Sequence, residues 1–144
     1  MARYSATDVA RYMVNLCIEE KSPVSNLQVQ KILYFCQQEY YVKTGTPLFD
    51  DDFQAWQYGP VIPEVYKVFS LFGGMKISRR VGETAVIDGG TRAIIGPVIR
   101  DKRGKYPWDL VEITHQPGSP WDIVFAGGAG NGCVIDKSLI FGNL

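Results

Sequence analysis

Apolar residues at Val9, Met13, Leu16 and Cys17 recur at helical spacing, and Ser5-Ala6-Thr7-Asp8 just before them reads as a capping box with Asp in the usual Glu position. The pattern predicts a first helix ending near Glu20, where Lys21-Ser22-Pro23 breaks it. A second box of the S-x-x-Q form, Ser25-Asn26-Leu27-Gln28, opens a helix with Val29, Ile32, Leu33, Cys36 and Tyr40 on one face, and Gly45 ends it. Phe53 to Tyr58 interleaves aromatics with Gln and reads as a short extended piece. Pro63 suits the first turn of a third helix, with Val65, Tyr66, Phe69 and Phe72 facing inward as far as Gly73-Gly74.

Beyond Gly74 the periodicity changes. Residues 75–90, "MKISRRVGETAVIDGG", predict two short strands around Gly82-Glu83. Thr91 to Lys102 has helical character that Gly96-Pro97 would interrupt, and the pattern alone does not decide it. Tyr106-Pro107-Trp108-Asp109 opens another short helix ending close to His115, before Pro117-Gly118. The tail predicts an extended Cys133-Val134-Ile135 and an Asp136-capped helical turn. These elements make an α+β protein, mainly α: a compact single-domain helical fold with a small antiparallel β element, residues 1–144 forming one domain.

Composition fits a folded soluble chain, with 46% hydrophobic and 21% charged residues. Fifteen basic residues balance fifteen acidic ones, so no net field draws in a polyanion, and nucleic acid is not an expected partner. Arg79-Arg80 and the run from Arg100 to Lys105 read as solvated faces. The second helix also carries apolar and aromatic residues where a recognition helix would need Arg, Asn or Gln. Cys17, Cys36 and Cys133 are odd in number and widely spaced, and are expected to be reduced, buried packing residues of a cytoplasmic protein. The opening residues lack the apolar core of a signal peptide, and no stretch approaches a membrane span.

Candidate chemistry is sparse. Asp50-Asp51-Asp52 could offer oxygens to a hard cation, but neighbours in an extended loop point in alternate directions, so a solvated turn is the better account. His115 is the only histidine; it must carry any His-based acid/base step, and it is expected instead to pack at a helix end and hydrogen-bond a neighbouring loop. Three cysteines and one histidine without paired spacing argue against zinc. "GGAGNG", residues 127–132, lacks the Lys and Ser/Thr of a phosphate loop and reads as a flexible loop. No cofactor, metal or catalytic residue is expected.

Three segments carry a more specific signal: "NLQVQKILYFCQQEY" (Asn26 to Tyr40), "FQAWQYGPVIPEVYKVF" (Phe53 to Phe69) and "LVEITHQPGSPW" (Leu110 to Trp121). In their order and spacing, above all in W-x-Y-G-P-V and L-x-x-x-T-H-x-x-x-x-x-W, the chain resembles the Panacea domain, the SocA-like family of bacterial and phage antitoxins. That resemblance implies a mainly helical, non-enzymatic protein that binds and neutralises a cognate protein toxin. For one member it also implies delivery of the toxin to a ClpXP-type chaperone-protease. The alternative is a small phage or bacterial hydrolase using His115. With the resemblance, Gly59-Pro60 is expected to set a sharp turn presenting Trp56 and Tyr58, Trp56 as core and Tyr58 as either core or interface. A toxin-facing surface is then expected beside Glu64 and Lys67, with His115 and Trp121 as structural or partner-binding residues.

Overall fold

The structure is a computed structural model describing residues 2–83 and 85–142; Met1, Thr84 and the last two residues of the tail lie outside it. Helices dominate, with one small antiparallel sheet. The order is α1 (Ala6–Glu19), α2 (Asn26–Thr44), β1 (Gln54–Trp56), β2 (Gly59–Val61), α3 (Pro63–Val68), α4 (Gly89–Arg103), α5 (Pro107–Thr114), α6 (Pro120–Phe125) and α7 (Lys137–Gly142).

Both capping boxes form. Ser5 Oγ accepts from Asp8 N while the Asp8 carboxylate accepts from Ser5 N, and Ser25 and Gln28 repeat the exchange at α2. Gly45 closes α2 with φ 74°, a left-handed cap in which a side chain would be strained. Pro63 stands in the first turn of α3, where its missing N–H costs nothing. In that segment Val65 and Phe69 are fully buried, whereas Tyr66, expected to face inward, is exposed.

α2 is the centre of the molecule, touched by α1, α3, α4, α5, α7 and β2. Its first three turns are therefore buried nearly all round, polar residues included. Those polar side chains act as fasteners. Gln37 donates to Phe49 O and accepts from Leu48 N, Gln30 Oε1 accepts from Ile62 N, and Asn26 Nδ2 donates to Tyr66 O. They satisfy the loop groups at Leu48, Phe49 and Ile62 and a carbonyl in the last turn of α3, which lack a partner in the local ladder.

α4 runs unbroken through Gly96-Pro97. Ile95, Gly96 and Ile99 are buried on one side, while Pro97 and Ala93 lie on the exposed side. The Ala93 carbonyl, which loses its helical donor to Pro97, therefore faces water, and packing against α2 outweighs the local penalty. The strands expected over residues 75–90 do not form among the described residues. Ile77 N donates instead to Val24 O, and Lys76 bridges to Ser25, so this segment lies along the α1–α2 connection.

In the sheet, Gln54 faces Val61, Ala55 faces Pro60 and Trp56 faces Gly59. The reversal is at Gln57-Tyr58, just before the Gly59-Pro60 corner expected from sequence. Gly59 still matters to it: neither turn residue has positive φ, and Gly59 takes φ 110° where strand and turn meet. Ala55 N donates to Cys133 O, Gly132 N to Ala55 O and Ile135 N to Phe53 O, so residues 132–135 run alongside β1. The glycine-rich loop before them is tied back, Gly130 N donating to Phe125 O. Asp136 Oδ1 accepts from Ser138 N at the start of α7.

Candidate functional site

The two motif elements meet over a lysine that sequence patterning does not single out. Lys31, on α2, is fully buried, and its ammonium donates to Pro60 O at 3.1 Å. Among the described residues no carboxylate is hydrogen-bonded to it, and burial pulls its pKa down to about 7. Gly59 lies directly above. A Cβ there would stand 2.7 Å from Lys31 Cε and 2.9 Å from Thr114 Oγ1. Close approach and positive φ thus both demand glycine. Gly59→Ala is expected to cost about 1–3 kcal/mol, and a urea midpoint like that of the parent would refute this account.

His115 caps α5 and lies flat on Trp121, ring centroids 3.6 Å apart and planes 4° from parallel. Its Nε2 is buried and has no hydrogen-bond partner, in place of the expected bond to a neighbouring loop. Its pKa is lowered, first by burial and then by the nearby Lys31 charge, with Asp122 acting in the opposite sense. Trp121, 7% exposed, continues the stack onto Phe125 and donates from Nε1 to Trp56 O at 2.7 Å. α6, absent from the sequence reading, is the element that brings Trp121 to the hairpin. Ser119 caps it, accepting from Asp122 N while its hydroxyl donates to Thr114 O. The T-H-x-x-x-x-x-W element and the W-x-Y-G-P-V hairpin are therefore two halves of one clamp closed over Lys31.

The clamp's outer side is a cleft of about 420 Å³. Trp56, expected as core, is only half-buried. Its backbone is held by Trp121, while its ring lines the cleft, tilted against Tyr66 at 5.3 Å. Tyr58 is 47% exposed and Trp108 60% exposed, and they meet edge-on at 5.2 Å. Leu27 and Val61 complete the apolar wall. Among the described residues no charged side chain lines it; Glu64 and Lys67 stand exposed on α3 outside. Tyr66 was expected on the inward face of its helix and Trp108 only at the opening of another, so neither was expected in a binding surface.

The other candidates resolve into structural parts. Asp50 accepts from Ala2 N, Asp51 from Ala6 N, and Asp52 pairs with Lys137, three separate tasks for three adjacent carboxylates. Among the described residues no cluster of three or more His, Cys, Asp or Glu could hold a metal. Cys17 and Cys36 are buried, but Cys133, expected to be buried too, is exposed. Arg80 is paired with Glu19, and Arg100 and Arg103 share Glu20. No described helix is long and apolar enough to cross a membrane.

Residues 29–122, which include most of the clamp and the cleft's aromatic residues Trp56, Tyr58, Tyr66 and Trp108, match the family model "Antitoxin SocA-like, Panacea domain". The chain belongs to the Panacea-domain family. Antitoxin SocA of Caulobacter vibrioides (strain NA1000 / CB15N) is 32% identical over 134 residues, covering 82% of this chain and 71% of that protein. No solved structure matches the chain. The Panacea match begins inside α2 and ends one residue past Trp121, so it takes in Lys31, the hairpin, α5 and most of the clamp.

Proposed function

We propose that this Panacea-domain protein is a non-enzymatic, cytoplasmic antitoxin that binds and neutralises a cognate protein toxin, seating it on the aromatic cleft between the hairpin, α3 and α5. The observation that carries the reading is the cleft itself: four aromatic side chains, two of them about half-exposed or more, gathered on a surface without charged lining. Protein interfaces concentrate their energy in such anchors. The hydrolase alternative asks His115 to meet a nucleophile, yet its buried Nε2 has no partner and its ring is flat against Trp121. Paired Arg80, Arg100 and Arg103 leave those basic runs poor candidates for nucleic acid. Delivery of the toxin to a ClpXP-type chaperone-protease is a separate role that no feature described above favours.

The test is co-expression with the product of the adjacent gene, scored for rescue of growth. Failure to rescue in a strain where that product alone is toxic would overturn the reading. Tyr58→Ala is expected to weaken toxin binding by about 2 kcal/mol or more, while the free protein melts nearly as before. Titration of the variant against the toxin, beside its thermal melt, checks both halves. Unchanged affinity would move the interface elsewhere.

A further inference from the structure

Part of the cleft's polar lining is tied up within the fold, with Asn26 Nδ2 donating to Tyr66 O, Gln30 Nε2 to Asn26 Oδ1 and Trp56 Nε1 to Gln54 Oε1. Four aromatic rings line the cleft in two touching pairs, Trp56 with Tyr66 and Tyr58 with Trp108, beside the aliphatic Leu27 and Val61. Ring faces carry negative quadrupole potential and attract a cation, Trp most strongly. Cations of this chain that lie over aromatic rings do so elsewhere: Arg3 on Tyr4, Arg79 on Phe72 and Lys102 on Phe35. Among the described residues the lining therefore supplies π surface, with no lysine or arginine to repel a positive group.

We propose that this cleft is a receptor for an arginine side chain of the partner protein, its guanidinium lying against the tryptophan and tyrosine rings. The inference rests on the antitoxin reading for the partner's identity and on the cleft alone for its chemistry. Guanidinium is the side-chain group that best matches the lining. It is planar, so it stacks on rings, and it is weakly hydrated, so it enters an apolar cleft at modest cost. An aliphatic anchor would use the apolar area but leave the electrostatic component of four aromatic rings unused. A carboxylate would meet ring faces of the wrong sign. Outside the cleft, exposed Glu64 and Lys67 flank Tyr66 with charges that offset one another, and exposed Asp109 beside Trp108 adds attraction of the same sense.

The probe is N-acetyl-arginine methylamide, titrated into the full chain at constant ionic strength and followed by the indole N–H resonances of Trp56, Trp108 and Trp121. N-acetyl-leucine methylamide and N-acetyl-glutamate methylamide are the comparisons. The arginine probe is expected to shift Trp56 and Trp108, to leave the buried Trp121 unmoved, and to bind about fivefold tighter than the leucine probe. Trp108→Leu, which keeps apolar bulk on an exposed position, should abolish that preference while the protein remains folded. Equal or tighter binding of the leucine or glutamate probe, or no selective shift of the two indoles, would overturn the proposal. Growth rescue is scored separately: rescue without arginine selectivity sinks the guanidinium receptor alone, and arginine selectivity without rescue sinks the antitoxin reading alone.

Discussion

Trp121→Ala is expected to lower the free energy of unfolding by about 3–5 kcal/mol, the usual range for truncating a large packed aromatic, and so to remove a large part of a small protein's stability. Three separate losses add up here. The His115 stack and the Phe125 stack disappear, and Trp56 O loses the Nε1–H that holds the hairpin to α6. Trp121→Phe keeps one aromatic ring while removing the donor and part of the stacked surface, so it should cost less than the alanine variant, about 1–3 kcal/mol. Urea denaturation of both variants checks that order. A Trp121→Ala protein within about 1 kcal/mol of the parent would mean that the clamp does not hold the fold. Loss of toxin binding in that variant would be a consequence of unfolding and would say nothing of contact.

The second large effect is on pH. In the unfolded chain Lys31 keeps its proton up to near the ordinary 10.5, whereas in the folded protein burial brings the value to about 7. Between these limits the unfolded state binds one more proton than the folded state. Stability should therefore rise with pH above neutrality, by up to about 1.4 kcal/mol per unit from this group. Below about pH 7 both states hold the proton, and the Lys31 slope vanishes. His115 acts in the same sense in its own window. Its folded pKa is depressed, so its contribution is lost as pH falls below the ordinary 6.5. Cys17 and Cys36 oppose the trend at high pH, because burial raises both thiols above the ordinary 9.0 while the unfolded thiols ionise. The clean window is then about pH 7 to 8.5. Lys31→Met should flatten the slope there, and denaturation midpoints across the window would show it. A parent protein with no rise, or a variant with the same rise, would place the titrating group elsewhere.

Much of the fold was legible where the signal is local. Ser5 with Asp8, Ser25 with Gln28, Pro63 and Gly45 each set an element end by a hydrogen bond or a dihedral that a few residues determine alone. The misreadings fall where distant packing decides. Gly96-Pro97 looks like a break until α2 is placed against the Ile95 and Ile99 side of α4. The alternation over residues 75–90 reads as a hairpin, yet Ile77 finds its partner at Val24. Lys31 could not be found by pattern, because a cation inside an apolar helix resembles a solvent-facing one until six elements close around it. The cleft was half legible. Trp56 and Tyr58 stood out beside Gly59-Pro60, whereas Tyr66 and Trp108 became visible only once α3 and α5 were set against the hairpin.

Pro60 has one more consequence. Small sheets are hazardous because an unpaired outer strand can recruit another chain, growing into a dimer or a fibril. Here the strands have little to offer a newcomer. On one flank, Phe53 and Ala55 spend backbone groups on residues 132–135. On the other, Pro60 has no N–H to give, its carbonyl is taken by Lys31, and the next amide, Ile62 N, is given to Gln30. Strand addition is thus blocked on both edges, by a neighbouring segment on one and by an imino acid and two helix side chains on the other. A partner of this protein must be recognised through side chains, and the hairpin that presents those side chains is protected from aggregating through its own backbone.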